Sequence, residues 1–144
     1  VTLLQDTTVI GSPQVLTGAS GSAPYSATYS FDTVPAGTYT LKVEKKGHAP
    51  WTESITAGTD SITGKNVTMY LWGDVNRDGV VTAADAQEIQ RNAAKLSSAY
   101  DTESNKSYWT LRADVNRDGK VTAADAQEIQ RNAAKLSSAI DSLS

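Results

Sequence analysis

The chain has 144 residues, no cysteine, and 13 Lys and Arg against 16 Asp and Glu. This length allows one domain or two small ones, the lack of cysteine excludes disulfides, and a net charge of −3 favours neither nucleic acid nor a membrane surface as partner. No apolar run is long enough to span a bilayer, and the opening Val1-Thr2-Leu3-Leu4 reads as the start of a piece cut from something longer.

Residues 1–71 read as a small all-β sandwich module. They are rich in Thr, Ser, Gly and Val, with turn signals at Gly11-Ser12-Pro13, Ala19–Pro24, Pro35-Ala36-Gly37, Lys46-Gly47 and Gly58-Thr59-Asp60. Between the turns lie short alternating runs, among them Tyr25–Phe31, Thr38–Val43, Trp51–Ile55 and Asn66–Leu71. Short β-rich runs at this spacing predict a sandwich. Within Thr38–Val43, Tyr39, Leu41 and Val43 point one way and Thr38, Thr40 and Lys42 the other. His48, the only histidine, follows a turn glycine and has no second His or Cys to complete a site, so it reads as a surface turn residue. Tyr25, Tyr29, Trp51 and Tyr70 offer rings for stacking on a sugar, but filling the core or a module interface is the simpler use for them. The segment Val34–His48, V-P-A-G-T-Y-T-L-K-V-E-K-K-G-H, resembles carboxypeptidase regulatory-like or prealbumin-like domains. That resemblance implies a turn and a strand without chemistry.

The composition changes near Leu71-Trp72-Gly73 with no Ser/Pro/Gly-rich linker. A last strand running almost directly into the next segment predicts a packed, rigid junction, with Trp72 as a contact residue. Residues 72–144 form the second module, and it contains an internal repeat. Residues 74–99 and 114–139 are the same sequence at an offset of 40, and only Val80 against Lys120 differs.

Each copy opens with D-V-N-R-D-G, the pattern of a twelve-residue calcium loop. Calcium is a hard cation that takes six to eight oxygens, from side chains at the first, third, fifth, ninth and twelfth places and from a main-chain carbonyl at the seventh. In the first copy these are Asp74, Asn76, Asp78, Thr82 and Asp85, with the carbonyl of Val80; in the second, Asp114, Asn116, Asp118, Thr122 and Asp125, with the carbonyl of Lys120. Gly79 and Gly119 fill the sixth place, where the chain turns sharply. The Val80/Lys120 difference falls where only main-chain oxygen is used. Val81 and Val121 are placed to cross-pair and tie the loops together. The twelfth place carries Asp, one methylene shorter than the usual Glu, so the following helix must approach the ion closely. No helix is expected before either loop, since Trp109–Ala113 is too short for one.

Each loop leads into a helix, about Ala83–Ala99 and Ala123–Ala139, with Thr82 and Thr122 at the N-cap. Spacing of 3.6 residues per turn puts Ala86, Ile89, Ala93 and Leu96 on the inner stripe, and Ala126, Ile129, Ala133 and Leu136 on its counterpart. Facing out are Ala84, Gln87, Arg91, Lys95 and Ser98, and Ala124, Gln127, Arg131, Lys135 and Ser138. Between the helices, Tyr100–Leu111 predicts a short linking helix from near Asp101 or Thr102, docked by Tyr108, Trp109 and Leu111.

The paired D-V-N-R-D-G loops, Asp at the twelfth place, and Gln90-Arg91 and Gln130-Arg131 in the following helices make residues 72–142 resemble the type I dockerin module of bacterial polysaccharide-degrading complexes. The resemblance implies two bound Ca2+ ions and an extracellular setting in a cellulosome- or amylosome-type complex. It also implies a cohesin module of a scaffolding protein as partner. Recognition residues carried over are Ala83, Ala84, Gln90, Arg91 and Lys95, and Ala123, Ala124, Gln130, Arg131 and Lys135; the outward Gln87 and Gln127 join them. The two Ala-Ala pairs depart from the hydroxyl pair common in the family and suggest close approach of an apolar cohesin patch. Identical faces imply that a cohesin can engage either one.

As an enzyme the chain offers no Ser-His-Asp or Cys-His set, and its clustered carboxylates are used by the loops. A calcium sensor or buffer is the second class, but sensors expose a Met-rich groove and the single methionine, Met69, lies outside the loops. A carbohydrate-binding accessory fragment is a third. The preferred class is a non-catalytic assembly module, monomeric when free, whose fold depends on calcium.

Overall fold

A computed structural model describes residues 1–16 and 27–143. The turn signal Ala19–Pro24 and Tyr25 lie outside the described residues. The chain forms two compact units: Val1–Glu44 with Pro50–Val67, and Lys45–Ala49 with Thr68–Ser144. The first carries an antiparallel β-sheet and the second is helical.

In the first unit the strands are β1 (Thr2–Gln5), β2 (Thr8–Ile10), β3 (Gly37–Val43) and β4 (Trp51–Ala57), in sheet order β2-β1-β3-β4. The first two make a hairpin with Gln5 opposite Thr8; Asp6 turns the chain at φ 54°, a left-handed conformation that Asp tolerates better than most residues. β3 pairs with β4 from Gly37–Ala57 to Val43–Trp51. Its alternation buries Tyr39 and Leu41, which with Leu3 form the core. The runs expected at Tyr25–Phe31 and Asn66–Leu71 contain no strand among the described residues, apart from a single bridge between Leu71 and His48. Tyr29 and Phe31 instead pack on the sheet core from a loop, and the Tyr29 hydroxyl donates to the Lys65 carbonyl at 2.5 Å.

In the second unit the helices are α1 (Ala83–Ala93), α2 (Ala99–Thr102), α3 (Lys106–Ala113) and α4 (Ala123–Ala133), closed by a 3₁₀ turn at Ala139–Leu143. α1 packs on α4. The core is built largely of pairs 40 residues apart: Val75 and Val115, Ala86 and Ala126, Ile89 and Ile129, with Trp109 and Ala113 from α3. Val81 and Val121 pack against this core half-buried, but no strand pairing joins them among the described residues.

Both long helices stop six residues before the expected ends, and the reason lies in their caps. Lys95 N–H donates to the Asn92 carbonyl at 3.0 Å and Leu96 N–H to the Arg91 carbonyl at 2.9 Å, the double bond pattern of a Schellman cap. The second copy repeats it with Lys135 to Asn132 and Leu136 to Arg131. Lys95 and Lys135 take the left-handed place usually given to Gly, at φ 57° and 59°. The stop leaves Leu96 and Leu136 exposed, at 59% and 57%, and not on the inner stripe; Ala93 is exposed as well. Ser98, expected outside, is buried as the N-cap of α2.

The linking segment makes two helices where one was expected. Asn105 caps α3 by accepting the Tyr108 N–H at 2.9 Å, and α3 runs on to Ala113, so the second loop is preceded by a helix after all. Tyr108 and Trp109 face the interior, but Leu111 is 38% exposed and Arg112 takes the inward place.

Gly73 holds φ 81°, and a Cβ there would stand 3.0 Å from Ile140 Cδ1 and 3.2 Å from Val81 Cγ1. Gly73→Ala combines left-handed strain with overpacking, each worth about 1–3 kcal/mol. Denaturant unfolding of the full chain in calcium should register a loss of at least about 1 kcal/mol; an unchanged midpoint would contradict the close packing.

Candidate functional site

The two loops curl the same way. Arg77 and Gly79 take left-handed φ of 70° and 87°, Arg117 and Gly119 61° and 85°, so that main-chain N–H groups turn inward toward carboxylates. Asp74 accepts from Arg77 N–H at 2.8 Å and Gly79 N–H at 3.2 Å. Asp114 accepts from Asp118 N–H at 3.1 Å and Gly119 N–H at 2.9 Å. Asn76 and Asp78 bond each other side chain to side chain at 3.0 Å, and Asn116 and Asp118 at 3.2 Å. Thr82 and Thr122 each accept the N–H two residues on, completing capping boxes with Asp85 and Asp125.

Asp85 and Asp125 stand at the helix N-termini, fully buried, where a negative charge is favoured. Asp85 gives one oxygen to Val75 and Asn76 N–H, at 2.8 and 3.0 Å, and the other to Thr82 N–H at 2.9 Å. Val80 and Lys120 are exposed at the loop tips. Among the described residues no group of three or more His, Cys, Asp and Glu converges closely enough to enclose a metal. The donor set of each loop is mixed: three carboxylates, an amide, a hydroxyl and a carbonyl, all hard oxygen.

The electrostatics suit a cation. None of the six loop carboxylates is in a salt bridge among the described residues. Burial pushes the Asp74 carboxyl above its ordinary pKa and the charges of Asp85 and Asp78 push the same way, against the main-chain bonds from Arg77 and Gly79. Asp125 is raised too, by burial and by Asp114 and Asp118. Buried like charges without a counter-ion favour a bound divalent cation, which would neutralise them.

Along α1 and α4 the outward residues Ala83, Ala84, Gln87, Gln90, Arg91 and Lys95, and Ala123, Ala124, Gln127, Gln130, Arg131 and Lys135, are all exposed. Arg91 Nε donates to the Ser97 carbonyl at 2.6 Å and Arg131 Nε to the Ser137 carbonyl at 2.8 Å. Each arginine therefore helps fix the chain after its own helix.

A buried ionic cluster escaped the reading of the sequence. Arg112, 0% exposed, donates from Nε to the Asp74 carbonyl at 2.8 Å and from Nη2 to the Val75 carbonyl at 3.3 Å and to Glu103 Oε2 at 2.8 Å. Its guanidinium carbon lies 4.9 Å from the Tyr70 ring centre and 5.6 Å from that of Tyr108. Burial works against the Glu103 carboxylate, but the hydrogen bond and charge of Arg112, helped by Asn105 N–H and Arg77, outweigh it and hold its pKa below the ordinary value. The helical phase of α3 was the signal: with Tyr108 and Trp109 inside, the residue one turn on from both is Arg112. Of the rings singled out for sugar stacking, those among the described residues are otherwise engaged, Tyr29 and Trp51 on the sheet core and Tyr70 against Tyr108, 6.2 Å between centroids.

Residues 72–132, less than half the chain, match the family model of the dockerin type I domain. No curated protein and no solved structure matches the chain. Dockerin type I domains are calcium-binding, non-catalytic modules that dock onto cohesins in extracellular, polysaccharide-degrading cellulosome assemblies. The match supports protein–protein assembly, in general terms, as the role of this segment.

Proposed function

We propose that residues 72–144 form a calcium-dependent docking module that attaches its parent protein to a cohesin, with two bound Ca2+ ions, and that residues 1–71 are a non-catalytic accessory module. Asp74, Asn76, Asp78, Thr82, Asp85 and the Val80 carbonyl would hold one ion; Asp114, Asn116, Asp118, Thr122, Asp125 and the Lys120 carbonyl the other. Neutralised loop carboxylates fix the N-terminal turns of α1 and α4, and so present the two outer faces.

The observation that carries the reading is the duplication itself: two helices with the same outward residues, all exposed, each started by the same oxygen-rich loop. If the paired loops relate the two repeats by a pseudo-twofold, a partner shaped for one face would meet the same residues on the other after about half a revolution, and the identity of the two sets of outward residues supports use of either face. The small Ala83-Ala84 and Ala123-Ala124 pairs allow close approach of an apolar patch, with arginine and lysine at its edge. The setting proposed is extracellular, where calcium is abundant; no helix among the described residues is long and apolar enough to cross a membrane. The free protein is proposed to be monomeric, with neither nucleic acid nor membrane as partner.

A pull-down of the full chain against a panel of cohesin modules, with calcium and with chelator, tests the reading. Capture in calcium and release in chelator is expected; capture indifferent to chelator would refute the calcium dependence, and no capture by any cohesin would refute the docking assignment.

A further inference from the structure

We propose that the two loops, although matched in every side-chain ligand, are unequal calcium sites, and that the buried pair Arg112–Glu103 positions the first loop and makes it the tighter one. The inference rests on the calcium reading above and extends it.

Three observations separate the loops. First, Arg112 ties the carbonyls of Asp74 and Val75 to α3, at 2.8 and 3.3 Å. In the other copy the corresponding residue, 40 places earlier, is Trp72, whose indole cannot make a forked set of charged N–H bonds. The Arg117 guanidinium lies over that ring, 5.2 Å from its centroid. Second, Asp74 is fully buried, whereas Asp114 is half-buried at the end of α3. Third, Asp85 Oδ1 accepts from both Val75 and Asn76, at 2.8 and 3.0 Å, while among the described residues Asp125 Oδ1 accepts only from Asn116, at 3.3 Å. The same sequence is held more closely in the first copy.

The cause is an exchange between repeats. α3 leads into the second loop, yet its Arg112 braces the main chain of the first. Main chain already fixed at the first ligand loses less freedom when an ion binds. The guanidinium does not act as an unpaired cation beside the site, because Glu103 takes it at 2.8 Å and rests against Arg77 at 3.7 Å. Partners outside the ligand shell typically govern metal affinity by about 10–100-fold.

The test uses the full chain carrying Lys120→Val, which removes the one difference inside the repeats. Asp118→Ala leaves the first loop intact and Asp78→Ala the second; both replaced residues are exposed. Calorimetric titration with calcium chloride should show the first loop binding about tenfold or more tightly than the second. Adding Arg112→Gln should weaken the first loop about 10–100-fold and the second by less than about threefold. A purely structural role would weaken both alike. If Arg112→Gln does not fold in calcium, as judged by helical circular dichroism, Glu103→Gln serves, since it leaves the guanidinium bonds to the main chain and removes their charge partner. Equal affinities in the two single-loop proteins, or equal losses at both, would overturn the inference. Heat from neither loop would instead overturn the calcium reading itself.

Discussion

Replacing Arg91 and Lys95 by alanine is expected to weaken cohesin binding only about twofold, roughly 0.4 kcal/mol from RT ln 2, because the other face remains available. The matching change at Arg131 and Lys135 should be equally mild. All four changes together should cost several kcal/mol, since interface energy concentrates in a few residues and arginine is prominent among them. Calorimetric titration of the three variants against one cognate cohesin decides the matter. A large loss from one single-face variant and none from the other would show that a single face does the docking. Stability needs its own control here, because Arg91 and Arg131 also bond the Ser97 and Ser137 carbonyls. Each lost bond should lower the stability of the free protein by about 0.5–1.5 kcal/mol, in single-face and double-face variants alike, and this part is read from melting of the free variants in calcium.

Excess chelator should melt the helices of the second unit while the sheet of the first survives. The loops are not appendages to that core: Val75 and Val115, next to the first ligand of each loop, are among its most buried residues. Six carboxylates without counter-ions therefore act directly on the packing. Metal binding free energy becomes folding free energy, about 2.7 kcal/mol per site when the ion stands at a hundred times its dissociation constant. Helical circular dichroism unchanged by chelator would rule this out. Acid should also weaken calcium binding. The folded-state pKa values of Asp74 and Asp125 are raised, so protons compete with the ion from a higher pH than at ordinary aspartates, and calcium affinity should fall as pH is lowered through that range.

The parts of the fold governed by short-range chemistry were legible in the chain. D-V-N-R-D-G, a threonine cap and an aspartate three residues later specify a loop and a helix start wherever they occur, and α1 and α4 begin where these residues put them. Their ends were not legible. Ala93-Ala94-Lys95-Leu96 contains no glycine, and the lysine accepts a left-handed conformation that it rarely adopts. Trp109–Ala113 alone is too short for a helix, and only the cap at Asn105 shows that α3 starts earlier, at Lys106. That start sets the helical phase, which turns Arg112 inward and leaves Leu111 exposed. The alternation at Asn66–Leu71 misled for another reason: Tyr70 gives its carbonyl to Ala49 N–H, 3.0 Å, and its N–H to the Tyr108 hydroxyl, 3.2 Å, so that stretch is satisfied by isolated partners and not by a ladder.

Those partners bear on anyone who would cut this protein into parts. The repeat begins at Asp74, and a genetic fusion made from residue 72 onward would carry every loop and helix residue and still be incomplete. It would lose Lys45–Ala49, a five-residue piece that belongs to the helical unit. The Tyr108 hydroxyl would lose the Ala49 carbonyl, 3.0 Å away, and Trp72 N–H the Gly47 carbonyl, 3.2 Å away. A transplanted tag therefore needs its donor's upstream hairpin tip, or a redesigned surface around Trp72 and Tyr108 to stand in for it.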